Sequence, residues 1–512
     1  MRTRMRYLAG IAAGAVAIGT GLVASPAHAN DPSTIDWQPC EGTEDDVLCG
    51  TVEVPLDWSE PDGETIEIAL AKREAGNPDE RIGTILMDPG GPGGSGVETV
   101  KVMQMLPEET AERFDLVGFD PRGVANSTPV TCSLDLVNEY SSALQPESAE
   151  DWDALEAANQ ALYDDCKARS GDIVDHADNL QTVEDIEAIR QALGEGDLNY
   201  LGYSYGSLMG QQYAEAYPDN IRTMVLDGNM DHSITDAWQF VRSEVAPVEA
   251  TFNQYVEWCE TSEDCALYGE DVAALYGDLK DRARAGELIH PETGMPVDFY
   301  TLSNLAFATT DPAGWGMVAG TMKALDEGEG ATRALQEPVA DEEESNGGLY
   351  NAAWCGDYGF DVAGYDEWEA IREKLSDKFP NVEYTTYVDH AISCVGSPVE
   401  NNNPQKRLKF NWNSPVVMIG NFYDPATVYE WNLVAALQSG ARLVTYEGYG
   451  HTAYRANGPS QCINDAISEY FITEVKPRFA TSCDATEQPG MSSTAAITGD
   501  AGPDAVGPYI VQ

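Results

Sequence analysis

Leu198-Asn199-Tyr200-Leu201-Gly202-Tyr203-Ser204-Tyr205-Gly206-Ser207-Leu208-Met209-Gly210 is the stretch on which the fold turns. Leu198 to Leu201 reads as a short buried strand, and Leu208 to Ala214 reads as a helix. Between them lies Gly-x-Ser-x-Gly. A turn that passes from strand to helix in so few residues leaves no room for a Cβ on either side of the serine. The strain lifts the Ser204 hydroxyl to the N-terminus of the helix, where it is a candidate nucleophile. A bare five-residue pattern recurs by chance, so the strand–helix context and the rest of the chain must carry the reading.

Working outward, Gly83-Thr84-Ile85-Leu86-Met87, Phe114-Asp115-Leu116-Val117-Gly118-Phe119 and Arg222-Thr223-Met224-Val225-Leu226-Asp227-Gly228 read as further buried strands. Val183, Ile186, Ile189 and Leu193 recur at helical spacing between them. Two earlier runs, Thr51–Asp57 and Ile66–Ala71, suggest an antiparallel edge. This alternation predicts an α/β fold with a mostly parallel, doubly wound sheet. From His232 to Asn403 it stops, and helical segments and loops follow, with an acidic run at Asp341-Glu342-Glu343-Glu344. Strands return at Pro415–Gly420 and Arg442–Tyr446. The expected organisation is a first sheet portion over 30–231, a mainly helical cap inserted over 232–403, and a second sheet portion over 404–483. A Ser-, Thr-, Gly-, Ala- and Pro-rich tail over 484–512 follows, expected to be flexible.

Residues 1–29 have the layout of a secretory signal peptide. Arg2, Arg4 and Arg6 precede an apolar run from Leu8 to Val23, and Ala27-His28-Ala29 offers a small-x-small cleavage site. The run is short for a membrane anchor, so cleavage after Ala29 and secretion are expected. The net charge is −57, and loss of three arginines takes the mature chain to about −60. Such a surface repels nucleic acid and anionic lipid, which excludes both as expected partners. All ten cysteines follow the leader, in keeping with an oxidising compartment. Short loops and an even count favour nearest-neighbour pairs, Cys40/Cys49, Cys132/Cys166, Cys259/Cys265, Cys355/Cys394 and Cys462/Cys483, although spacing alone leaves connectivity open. No cysteine or histidine has metal-ligand spacing, so neither metal nor cofactor is expected.

A serine nucleophile needs a base, and the base needs a carboxylate. His451, in Gly448-Tyr449-Gly450-His451-Thr452, is the one histidine after Ser204 that lies beyond the predicted cap, and it follows the Arg442–Tyr446 strand. Asp424 lies 27 residues earlier, just after the Pro415–Gly420 strand. The order Ser204, Asp424, His451 suits a catalytic triad. An oxyanion needs backbone N–H groups. The glycine loop Asp88-Pro89-Gly90-Gly91-Pro92-Gly93-Gly94-Ser95-Gly96 offers one at Gly91, and Tyr205 offers the other. No Gly-Lys-Ser/Thr follows, which argues against a phosphate cradle. Asp120 and Arg122 are candidates for an ion pair that braces the site.

With these motifs assembled, the chain resembles the secreted tripeptidyl aminopeptidases of actinobacteria, in the prolyl-aminopeptidase-like group of α/β-hydrolases. The likeness rests on Asp88–Gly96, Phe114–Gly123, Leu198–Gly206, Asp424–Thr427 and Gly450-His451, and extends from about residue 35 to Cys483. It implies the α/β-hydrolase fold with an inserted helical cap, the Ser204–Asp424–His451 triad, and release of short peptides, typically tripeptides, from free N-termini. The departures are Asp88 where Asn is usual, Ser207 where Thr is usual, and Val428 where Pro is common. The segment around Cys355-Gly356-Asp357 resembles the family's Cys-x-Asp stretch. Asp357 is therefore a candidate ligand for a substrate ammonium, with an ordinary structural aspartate as the alternative. A cap that closes one end of the cleft also needs carboxylates there, and the acidic run offers Glu343.

The expected activity is that of an exported serine exopeptidase acting on peptides or partly degraded proteins. A secreted carboxylesterase or lipase is the alternative on the same scaffold. A non-catalytic surface binding protein is a third, disfavoured because a binder has no need of serine, acid, histidine and glycine loop together.

Overall fold

The computed structural model describes residues 35–43, 47–329, 344–345, 347–410 and 414–486. The predicted leader, Glu343 and the predicted tail beyond residue 486 lie outside the described residues, as do 341–343 of the acidic run.

The strands in chain order are β1 (Gln38–Pro39), β2 (Val47–Pro55), β3 (Thr65–Arg73), β4 (Gly83–Asp88), β5 (Phe114–Phe119), β6 (Cys132–Ser133), β7 (Leu198–Tyr203), β8 (Ile221–Asp227), β9 (Glu344–Ser345), β10 (Val416–Tyr423), β11 (Arg442–Tyr449) and β12 (Thr481–Cys483). Ten of them form one sheet in the order β1-β2-β3-β5-β4-β7-β8-β10-β11-β12. The first three strands are antiparallel, β3 joins β5 antiparallel, and every later pairing is parallel. The antiparallel edge expected from Thr51–Asp57 and Ile66–Ala71 is thus β2 against β3.

Strands β4, β5 and β7 are buried along their whole length, as parallel strands covered on both faces must be. Period-two alternation sends successive side chains into different layers. Val416 and Met418 face one apolar cluster, and Val417 and Ile419 face the other. The helices Asn179–Leu193 and Tyr205–Ala216 cover the first face, and Gly96–Val102 and Gln461–Thr473 cover the second.

Between β8 and β10 the chain leaves the sheet. It forms the helices Ala237–Thr261, Val272–Arg284, Phe299–Ala308, Trp315–Glu327, Gly347–Asp357 and Tyr365–Lys378. A second excursion lies between β5 and β7: the helix Ala149–Ser170 packs against Gly347–Asp357 and Tyr365–Lys378. The sequence reading placed this excursion inside the sheet portion. Its helix carries a weak apolar stripe of Trp152, Leu155, Leu162 and Cys166 among many charges. It packs mainly against the helix Leu134–Ala143, the turn Gly171–His176 and β6 of the same excursion, with the inserted helices adding to that.

Five disulfides close the nearest-neighbour pairs Cys40–Cys49, Cys132–Cys166, Cys259–Cys265, Cys355–Cys394 and Cys462–Cys483. Among the described residues no helix is long and apolar enough to cross a membrane.

Candidate active site

β4 and β7 are adjacent and parallel, so the loops leaving their carboxyl ends meet at one edge of the sheet. Ser204 sits on the turn between β7 and the helix Tyr205–Ala216 with φ 53° and ψ −121°, a strained conformation for a residue with a Cβ. Its N–H donates to the carbonyl of Asp227 at the end of β8, 2.9 Å away. The glycine loop lies directly against this turn. A Cβ on Gly90 would stand 2.5 Å from the Tyr203 carbonyl and 2.9 Å from Ser204 Cβ, and φ there is +93°. Only glycine allows so close an approach. Tyr205 opens its helix, so its N–H has no carbonyl one turn earlier to bond. Gly91 and Tyr205 line the same cavity as Ser204.

Asp88 anchors the loop from below. It is fully buried, and its Oδ1 accepts the Gly90 N–H at 2.8 Å. Burial, together with the nearby Asp120, pushes its carboxyl well above the usual range.

The structure brings Asp424 and His451 together. Nδ1 of His451 lies 3.0 and 2.9 Å from the two oxygens of Asp424. The remaining valence of the carboxylate is taken up by the N–H groups of Ala426 and Thr427, at 2.8 and 2.9 Å, and by the Thr427 hydroxyl at 2.9 Å. Asp424 is thereby buried, oriented and satisfied. Burial works to lower the His451 pKa, but the Asp424 charge and hydrogen bond outweigh it and the net shift is upward. His451 and Ser204 line one cavity.

The far wall of that cavity is aromatic: Phe240, Tyr350, Trp354, Tyr387, His390 and Trp431. Tyr350 stacks on Trp354, and Phe240 on Trp431. The Cys355–Cys394 disulfide ties the helix bearing Tyr350 and Trp354 to the segment just after Tyr387 and His390. Set in this wall is one carboxylate, Glu244. Its Oε1 faces His390 Nδ1 at 3.2 Å, and its buried Oε2 has no partner among the described residues. Burial pushes its carboxyl up to about 7, against the pull of His390. Sequence reading passed over Glu244. The available signal was a carboxylate within the apolar stripe Phe240, Val241, Val248 and Phe252 of one helix, a feature that Glu249 shares.

Asp357, a sequence candidate for the ammonium, does not line the cavity. It is fully buried behind Tyr205. Its carboxylate accepts the Tyr205 hydroxyl, the Asn403 amide at 2.6 Å and the Asn179 N–H at 3.0 Å. The expected Asp120–Arg122 pair is also absent. Arg122 forms a bidentate pair with Asp185, both contacts 2.7 Å, while Asp120 accepts from Ser95 and Val97 at 2.5 and 3.0 Å. The Arg fork points away from the glycine loop, toward the helix Asn179–Leu193 and the end of β2. Among the described residues no group of histidine, cysteine and acidic side chains is arranged to hold a metal ion.

Comparison with known proteins agrees with this geometry. Residues 83–455 match the family model described as alpha/beta hydrolase fold. The serine protease Hip1 of Mycobacterium tuberculosis is 29% identical over 482 residues, covering 88% of this chain and 91% of its own. The tripeptidyl aminopeptidase of Streptomyces coelicolor is 29% identical over 460 residues, covering 86% and 84%. Carboxylesterase B of Mycobacterium tuberculosis is 30% identical over 461 residues, covering 85% and 86%. With the family match spanning most of its length, from β4 through β11, the chain belongs to the α/β-hydrolase fold family.

Proposed function

We propose that the chain is an exported serine exopeptidase that releases short peptides, tripeptides being the expected length, from free N-termini. In this reading Ser204 attacks the scissile carbonyl while His451 takes its proton. Asp424 holds the imidazole in the required tautomer and offsets the imidazolium charge. The Gly91 and Tyr205 N–H groups stabilise the oxyanion. His451 returns the proton to the leaving amine, and water then releases the acyl group by the same route.

The observation that carries the exopeptidase reading is Glu244. A buried carboxylate oxygen without a partner is costly, and this one lies in the wall of the nucleophile's own cavity. A substrate α-ammonium is the group that would satisfy it, with ring faces beside it suited to a cation. Names of relatives, a serine protease and a tripeptidyl aminopeptidase, support the same reaction class. Five disulfides support export. The test compares a tripeptide anilide with its N-acetyl form. Blocking the amine removes a charge-assisted hydrogen bond worth about 1.5–3 kcal/mol, so kcat/KM should fall at least about tenfold. Equal rates would overturn the reading. Mass spectrometry of products from an unbiased peptide mixture would give the length released.

A carboxylesterase is the second reading, favoured by the similarity to carboxylesterase B and by the apolar character of the cavity wall. Turnover of simple acyl p-nitrophenyl esters without turnover of peptide anilides would select it. Failure of a fluorophosphonate probe to label Ser204 would leave only a binding role.

A further inference from the structure

Asp227 is not one of the three triad residues, yet it touches two of their supports. It is the last residue of β8 and is fully buried. Its backbone carbonyl accepts the Ser204 N–H at 2.9 Å. Its side-chain Oδ2 accepts the N–H groups of Ala453 and Tyr454, two and three residues after His451, at 2.8 and 2.7 Å. The residue between, Thr452, has φ +61°, so the histidine loop is strained where Asp227 holds it. The next residue, Gly228, closes the contact. A Cβ there would stand 2.5 Å from Thr427 Oγ1 and 3.1 Å from His451 Cε1. The end of β8 thus lies against the turn of the nucleophile, the base, and Thr427, whose hydroxyl donates to the acid.

Loop anchoring alone does not need a carboxylate, because an amide oxygen accepts two N–H groups equally well. The Asp227 carboxyl leaves Oδ1 buried and without a partner among the described residues, a cost that an amide would reduce. We propose that Asp227 is a positioning residue for the Ser204–His451 reaction, whose charge supports the imidazolium and whose Oδ2 fixes the loop that aims it. Three charged groups face His451: Asp424, Asp227 and Arg455, the first two favouring its charged form and the third opposing it. Asp227 in turn faces Arg455 and His451, with Tyr203 beside it. Burial pushes the Asp227 carboxyl up to about 6, against the Tyr454 and Ala453 N–H groups and both neighbouring cations. Protonating His451 as Ser204 attacks makes the ionised form of Asp227 more favourable still.

This inference rests on the triad reading but not on the peptidase reading, and the test separates them. Full-length wild type, Asp227→Asn and Asp227→Ala are assayed on p-nitrophenyl acetate and on a tripeptide anilide from pH 5 to 9. Asn keeps an oxygen for both N–H groups and loses the charge. Its acid limb in kcat/KM should move to lower pH by about 0.5 or more, and its plateau kcat should fall about tenfold with KM within about threefold. Ala should lose about a further tenfold in kcat with a native circular dichroism spectrum. Where Ala fails to fold, the Asn profile alone decides. An Asn variant that matches wild type in both acid limb and kcat on the ester would overturn the proposal. Absence of anilide turnover in wild type would count against the peptidase reading and leave the ester comparison intact.

Discussion

The Tyr205 hydroxyl donates to the carboxylate of Asp357, behind the helix that begins at the nucleophile. One residue therefore offers its backbone N–H to the cavity and its side chain to a buried acid. Burial, then the nearby Asp178, pushes the Asp357 carboxyl up to about 7, while Tyr205, Asn403 and Asn179 pull against that. The pair fixes Tyr205 and with it the start of the helix.

Asp357→Asn is expected to leave KM for a tripeptide anilide within about twofold, because the side chain does not line the cavity of Ser204. It should lower stability, since a hydrogen-bond network built on a carboxyl is re-plumbed at a cost of about 1–3 kcal/mol. Paired kinetics and thermal melts check this. A large rise in KM with an unchanged melting temperature would return Asp357 to the binding site.

Glu244→Gln is expected to do the reverse. The fold should persist, because the amide still meets His390. KM for free-amine substrates should rise about tenfold or more through the lost charge. The variant should also lose its discrimination between free and N-acetylated tripeptides. Retained discrimination would place amine recognition elsewhere.

Much of this was legible in the chain. Eight of the sheet strands announced themselves as apolar runs, and the elbow, glycine loop, Asp424 and His451 all fell at strand ends, where a parallel sheet gathers its loops. What stayed hidden depends on contacts remote in sequence. Glu244 and His390 meet across 146 residues, and no local pattern announces such a meeting. Arg122 chose Asp185 over Asp120 because its fork is aimed by the carbonyls of Pro55, at the end of β2, and of Leu56 just after it, which also accept from it. The helix Ala149–Ser170 has too weak a stripe to reveal which layer it joins.

Ser204→Ala should abolish turnover, by on the order of 10³-fold or more, with the melting temperature held. Asp424→Asn should cut kcat steeply by stabilising the wrong imidazole tautomer. Rates near wild type in pure protein for either variant would displace that residue from its role.

Activity and stability should respond to pH in opposite directions. Activity needs His451 neutral, and Asp424 holds its pKa above the ordinary value despite burial. The acid limb should therefore lie above about pH 6.5. Glu244, with its carboxyl at about 7, must ionise to hold an ammonium, so kcat/KM should fall with a slope steeper than one proton. Stability follows the buried acids. Glu244 and Asp357 are raised to about 7 and Asp227 to about 6, all above ordinary carboxylate values near 4. The folded state binds more protons than the unfolded chain between those limits. Their contribution is full below the unfolded values and is lost as pH rises through the folded ones. His451, raised as well, acts in the same sense. His232 opposes them, since burial lowers its pKa to about 4 and favours the neutral form, but it stands alone against these groups and against Asp88 and Asp389, whose carboxyls burial also raises. Self-repulsion at a net charge of −57 also grows with pH. The melting temperature should fall from pH 5.5 to 8.5 at constant ionic strength while kcat/KM climbs over the same range, and Glu244→Gln should flatten the melting trend. A melting temperature that rises across that interval would show that these acids are ionised at little cost, and the low polarity assigned to the cavity wall around Glu244 would have to be given up.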